Sequence, residues 1–315
     1  MLTIIIQSKR FLKFFSWITL LFIAGCHSDE SARIGALKAA IEKKFKSVEG
    51  DFGLALMEID GKESLLYVNE KEMFHAASTM KTPVMIEVYK QAALGGLRIE
   101  DSILVKNIFY SIVDSSTYQL NPEEDSEQTL YALIGQPVSV GDLVYKMIIE
   151  SSNLATNLLI EYVGAQNCTQ TMRNLGAPTI QVLRGVEDSK AFQKGLNNAT
   201  SAYDQLMIYE KLAKGEVVTP AACDSMIAIL LDQRFNDIIP ARLPAEVKVA
   251  HKTGWITGVH HDAGIVFLPD GRKYILVLLS KNVKDSEKGI NMLATVSELV
   301  YHFMTNKPLP EKDVN

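Results

Sequence analysis

Little in this chain suits a nucleic acid. Its 32 Lys and Arg are dispersed among 37 Asp and Glu, for a formal net charge of −5. No basic stripe offers a footprint for phosphates. Metal-binding motifs are also missing. There is no HExxH pair, and the adjacent His260 and His261 would point to opposite faces of a strand, which makes a poor chelate. A metallo-hydrolase is therefore not expected. The G-x-S-x-G elbow of the α/β-hydrolases is absent too. No internal repeat or low-complexity tract interrupts the chain. Cysteine is scarce, with three in 315 residues. What is plentiful is apolar side chain, at 47% of the sequence, enough for one large core or two modest ones.

One apolar run stands apart. Residues 14–24 follow Lys9, Arg10 and Lys13 and end in Ile23-Ala24-Gly25-Cys26. The run is too short to span a bilayer and suits the core of a signal peptide. Small residues before a cysteine resemble a bacterial lipobox. Residues 1–25 are thus expected to be a lipoprotein signal, with Cys26 lipidated as the mature N-terminus. The body would be exported and anchored to the envelope, facing the periplasm. An ordinary signal peptide or an uncleaved anchor is the alternative. In an exported protein the remaining Cys168 and Cys223 either bridge or stay as buried thiols.

The body shows three parts. Ile34, Leu37, Ile41 and Phe45 recur at helical spacing, and Gly50 closes that pattern. Two strand-like runs then meet at Asp60-Gly61, a hairpin signal. A helix is expected to start near Ser78. From about Leu97 to Arg234 the periodicity is mostly helical, clearest in residues 146–164 and 201–215. The acidic segment 121–129 is expected to be a solvated loop. Strand-like runs return on both sides of Pro269-Asp270-Gly271, and residues 287–304 form a closing amphipathic helix. The two ends are expected to share one antiparallel sheet, with a helical lobe inserted. The fold class is α/β plus an all-α lobe. The α/β lobe takes about 30–90 and 236–310, and the helical lobe about 91–235, within one domain over 26–315.

Three short motifs carry chemistry. Ser78 and Lys81 are three apart, so a helix puts them on one face. A serine hydroxyl needs a neighbouring base to become a nucleophile. Lysine serves as that base only if burial or nearby positive charge lowers its pKa. A helix start also points backbone N–H groups outward, where an oxyanion could sit. The same residues would equally give a capping serine and a solvent-facing lysine. Ser151 and Asn153 form an S-x-N that could pass a proton and hold an amide, or simply cap a helix. The S-x-N of Ser280 and Asn282 is expected to be a turn. Lys252-Thr253-Gly254 sits on a strand, where glycine permits close approach and the lysine and threonine side chains could bind a carboxylate, or it is a surface strand with a tolerated glycine.

In this order, S-x-x-K, S-x-N and K-T-G resemble the penicillin-recognising serine acyl-transferases. The chain is similar to the class A β-lactamases and, more distantly, to the D-alanyl-D-alanine peptidases of the same fold. The resemblance spans most of the chain after the signal. It implies a serine β-lactamase acting on a small-molecule β-lactam, with no cofactor and as a monomer. Ser78 would be the nucleophile, with Lys81, or Glu187 through a water, as base. Ser151 would relay a proton. Asn153, Lys252, Thr253, Gly254 and Trp255 would bind substrate. Glu187 would drive deacylation. Two departures stand out. Ser152 replaces the usual aspartate of the second motif. The asparagine of the usual Glu-x-x-Leu-Asn is displaced, leaving Asn197 or Asn198 as substitutes. A D-Ala-D-Ala peptidase or esterase of the same fold, or a non-enzymatic binding lipoprotein, are the alternatives.

Overall fold

The computed structural model describes residues 30–59 and 64–309. The Asp60-Gly61 turn, the signal segment and Cys26 lie outside the described residues. A helix over residues 30–46 (α1) leads into β1 (Asp51–Glu58) and β2 (Ser64–Val68). After the helical middle come β3 (Lys248–Ile256), β4 (Val259–Phe267) and β5 (Lys273–Lys281), then α9 (Ser286–Met304). The five strands form one sheet in the order β2-β1-β5-β4-β3. The first strand therefore pairs with the last, Asp51 opposite Lys281 and Glu58 opposite Tyr274, antiparallel throughout. The expected sharing of one sheet by both ends of the chain holds. At the turn between β4 and β5, Gly271 sits at φ +90°, a conformation L side chains rarely adopt.

The sheet is covered on both faces, and alternation sorts its side chains. Leu54, Leu56, Leu276 and Leu278 pack with Leu37 and Ile41 of α1 and with Leu293, Val296 and Val300 of α9. Ala55, Ala263, Val277 and Leu279 face the helical middle. That middle contains α2 (Lys81–Ala93), α3 (Val140–Ile149), α4 (Asn153–Val163), α5 (Ala165–Asn174), α6 (Ser189–Gln193), α7 (Ala202–Ala213) and α8 (Pro220–Leu231). Helix α2 is enclosed. Every residue from Lys81 to Val88 is buried, including Glu87, whose carboxylate accepts from Thr171 of α5. Burial of each large aliphatic here is worth about 1.5–3 kcal/mol. Cys168 and Cys223 are both free and buried.

Three expectations need correction. The helical pattern over 146–164 is two helices. Ser151 at φ +58° breaks it between Ile149 and Asn153, although apolar spacing continues across the break. The segment 121–129 is not simply solvated. Glu123 and Glu124 are exposed, but Asp125 and Glu127 are 3% and 2% exposed. Glu127 is covered because it pairs with Lys146 at 2.9 Å and accepts from the backbone N–H of Thr129 and Leu130. Ser280 belongs to β5, where its hydroxyl donates to the His260 carbonyl; the turn is at Asn282, φ +59°. Among the described residues, no helix is long and apolar enough to cross a membrane.

Candidate active site

Ser78 does not cap a helix as expected. It lies in a 3₁₀ turn, Ala77–Met80, that runs straight into α2 at Lys81, and neither helix start has a side-chain cap. The turn is set by contacts distant in sequence. His75 Nδ1 accepts from the Ala77 N–H at 3.0 Å, and Ala76 N–H donates to the Asn198 carbonyl at 2.8 Å. Ala77 is held at φ +44°. The His75 carbonyl in turn accepts from His261 Nε2 at 2.8 Å, while His261 Nδ1 accepts from the Ser280 N–H. That pair of bonds fixes the neutral Nε2–H tautomer of His261. Burial lowers the His261 pKa to about 4. Its neighbour Asp262 turns to the other face, against His251 Nδ1 at 2.8 Å. The two histidines serve the frame of the site. Among the described residues, no group of His, Cys, Asp or Glu could hold a metal ion.

Gly254 explains how β3, the edge strand, reaches Ser78. A Cβ at this position would sit 3.2 Å from Ser78 N, Thr79 N and Thr79 Cγ2. The glycine of the third motif thus admits the Ser78 backbone itself. The Ser78 side chain is half-buried beside it. Trp255, next along, is 66% exposed.

Lys81 is fully buried and its amine points at the second motif. Nζ donates to the Ser151 carbonyl at 2.6 Å, Ser151 Oγ at 3.1 Å and Asn153 Oδ1 at 3.0 Å. Burial pulls its pKa from 10.5 to about 7, with Asp125 and Glu187 holding it up. Lys252 is also fully buried, and its Nζ donates to Ser151 Oγ at 3.1 Å and to the Thr253 carbonyl at 3.0 Å. Its pKa falls well below 10.5, first from burial and then from Lys81. Ser151 Oγ is therefore shared by two amines.

Asn153 connects this group to Glu187. Its Oδ1 accepts from Lys81 and its Nδ2 donates to a Glu187 oxygen at 2.9 Å. Burial raises the Glu187 pKa, and the Asn153 bond opposes that rise. Glu187 sits at φ +63°. Three non-glycine residues of this one site, Ala77, Ser151 and Glu187, thus carry positive φ, a strain that persists only where surroundings impose it.

The sequence did not single out the groups that impose it. Asn157, one turn after Asn153 on α4, brackets Val186 by accepting from its N–H at 2.7 Å and donating to its carbonyl at 3.1 Å. Its spacing from Asn153 was the available signal. Asp125 accepts from the N–H groups of Asn153 and Leu154. Asn197 and Asn198 do not substitute beside Glu187. Asn198 Oδ1 accepts from the N–H of Leu183 and Arg184, and Asn197 Oδ1 accepts from the Arg184 guanidinium. They hold the loop by its other side. Asp188 is occupied as well, capping α6 and accepting from Ser111.

Comparison with known proteins identifies the family and the fold. Residues 36–304 match the model of the beta-lactamase enzyme family. The extended-spectrum beta-lactamase PER-1 of Pseudomonas aeruginosa is 23% identical over 299 residues, 92% of this chain and 94% of that protein. The solved beta-lactamase of Sphaerobacter thermophilus superposes with a TM-score of 0.74 at 24% identity, over 87% of this chain and 98% of that one. A mutant of PBP-A, solved as an acyl-enzyme complex with penicillin G, gives 0.74 at 24% identity, over 86% and 97% of the two chains. The chain belongs to the beta-lactamase enzyme family.

Proposed function

We propose that the protein is a class A-like serine β-lactamase. The observation that carries this reading is the bonded path Lys81–Asn153–Glu187, which puts a carboxylate beside the group around Ser78 and Ser151. Ser78 Oγ attacks the lactam carbonyl carbon as its proton passes to the neutral Lys81 amine. The Lys81 pKa of about 7 keeps much of that amine neutral at neutral pH. The developing oxyanion is met by the backbone N–H groups of Ser78 and Trp255. The C–N bond then breaks. Its electron pair takes the Ser151 proton, and Ser151 is resupplied from the Lys81 ammonium. Lys252 and Thr253 bind the substrate carboxylate, and the free face of Asn153 binds the side-chain amide. Glu187 then takes a proton from water as the hydroxide attacks the ester carbonyl carbon, and the C–O bond to Ser78 breaks as that proton is returned from Glu187 to the Ser78 oxygen.

The test is turnover of a chromogenic cephalosporin. The wild-type chain is expected to turn over many times, and Glu187→Ala to stop after one stoichiometric burst with a stable acyl adduct on Ser78. A wild-type chain that itself stops after one burst would refute the lactamase. A second reading, a D-Ala-D-Ala peptidase or esterase acylated but only slowly released by penicillins, draws on the diversion of Asn197 and Asn198 to Arg184 and the loop backbone. As to location, we propose the exported, Cys26-lipidated form on the motif at residues 23–26; a fatty-acyl mass on a Cys26 peptide tests it.

A further inference from the structure

Asp125 is a carboxylate in an unusual place. It is 3% exposed, and its hydrogen-bond partners are all neutral. The Asn153 N–H lies 3.0 Å from both its oxygens, Leu154 N–H donates at 2.9 Å, Tyr131 Oη at 3.0 Å and Glu127 N–H at 3.2 Å. A buried charge without an ionic partner is costly unless donors and a helix dipole offset it. The start of α4 supplies both. That start already has a cap, because Ser152 Oγ accepts from the Ala155 N–H at 3.2 Å. The second acceptor falls on Asn153 and Leu154, beside the two side chains that matter. Ser151, at φ +58°, presents Oγ to both lysines. Asn153 bridges Lys81 and Glu187.

We propose that Asp125 is a positioning residue of the reaction centre: its buried carboxylate sets the start of α4, and through it the placement of Ser151 and Asn153. The charge that braces this helix start comes from the loop opposite, since position 152 holds an uncharged serine. The same charge acts on Lys81. Around that amine are Asp125 and Glu187, which favour its charged form, and Lys252 from β3, whose own pKa it lowers. Removing Asp125 therefore lowers the pH at which Lys81 titrates.

The proposal rests on the acyl-enzyme reading above, so its test has one arm that needs no substrate. The first arm is the rate at which a fluorescent penicillin labels Ser78. The second is the titration of the Lys81 13Cε signal, assigned by its loss in Lys81→Arg. Asp125→Asn is expected to label at least tenfold more slowly and to move the Lys81 titration to lower pH. Asp125→Glu, which keeps the charge but displaces it by a methylene, is expected to slow labelling with the Lys81 titration largely retained. It also serves if the Asn variant does not fold. Glu127→Gln is the control: it loses a buried ion pair on the same segment and is expected to label within twofold of wild type. Wild-type labelling by the Asp125 variants overturns the proposal, as does slowing of Glu127→Gln and the Asp125 variants in proportion to lost stability. If penicillin labels nothing, the acylation reading fails. An unmoved Lys81 titration in Asp125→Asn then overturns the positioning role independently.

Discussion

Gly185→Ala should separate the two halves of the proposed reaction. The added Cβ would lie 2.4 Å from Asn157 Oδ1 and 2.8 Å from its Cγ. Gly185 is not among the positive-φ residues, so the clash is with Asn157 and not with the backbone's own conformation. Relief to the tightest contact a Cβ tolerates needs a shift of about 0.6 Å, from 2.4 Å to 3.0 Å, and ordinary contact at 3.4 Å needs about 1.0 Å. Two routes offer it. Asn157 can swing into the neighbouring cavity of about 130 Å³, which is lined by Phe109, Tyr118 and Ile160, but it then gives up both bonds to Val186. Two such bonds are worth about 2 kcal/mol together, or about 5 °C in Tm. Alternatively the loop moves and takes Glu187 with it. A misplacement near 1 Å costs about a hundredfold in rate, so a slowing of deacylation by about 10- to 100-fold is expected on either route. Ser78, Lys81 and Ser151 are held by other contacts, so acylation should stay within about threefold. Stopped-flow with a chromogenic cephalosporin resolves the two steps, and intact mass reports the acyl adduct. Wild-type turnover at wild-type Tm would refute the reasoning. So would an equal loss in both steps.

The pH dependence should divide along the same lines. With the Lys81 amine at about 7 and needed neutral, the acylation rate should fall about tenfold per pH unit below that point. The limb should persist in Glu187→Gln, and its disappearance there would make Glu187 the acylating base. Stability should carry a different signature. His261 is neutral in the fold, with a pKa near 4 against 6.5 when unfolded. Its contribution is complete above pH 6.5 and is lost as pH falls toward 4, about 3 kcal/mol in all. Urea midpoints of wild type and His261→Gln should converge over that range, and parallel curves would contradict the assignment.

The strands and the three motifs were legible because each depends on local pattern, and the shared sheet, which pairs residues 51–58 with 274–281, followed from strand-like runs at both ends of the chain. Alternation marks strands wherever one face differs from the other, and β4 and β5 are apolar enough to read even though both faces are covered. The motifs were legible as an ordered set of residue types. Their geometry was only partly so. Ser78 read as a cap because serine before an apolar helix usually is one. Its 3₁₀ turn comes instead from Gly254, His75 and Asn198, up to 176 residues away from Ser78 in sequence. The break at Ser151 was invisible for a related reason. Apolar spacing runs on from Ile149 to Leu154, and nothing in a serine announces a positive φ.

Asp125 marks where sequence reasoning stops and packing begins. Its neighbours Glu123 and Glu124 are solvated, and composition cannot distinguish the three. What distinguishes it is the pair of N–H groups at Asn153 and Leu154, which exist as free donors only because α4 starts there. The helix starts there because Ser151 breaks α3 from α4, and Ser151 is held in that break by Lys81, which bonds both its carbonyl and its hydroxyl. The lysine of the first motif, the strained serine of the second and the loop aspartate are thus one mechanical unit. Lys81 bonds Ser151 directly and Asn153 through its side chain, while Asp125 bonds the backbone of Asn153 and Leu154 at the helix start that follows. Such a unit should respond to single substitutions non-additively, so the Asp125→Asn and Ser151→Ala losses in acylation should sum to more than the double variant shows.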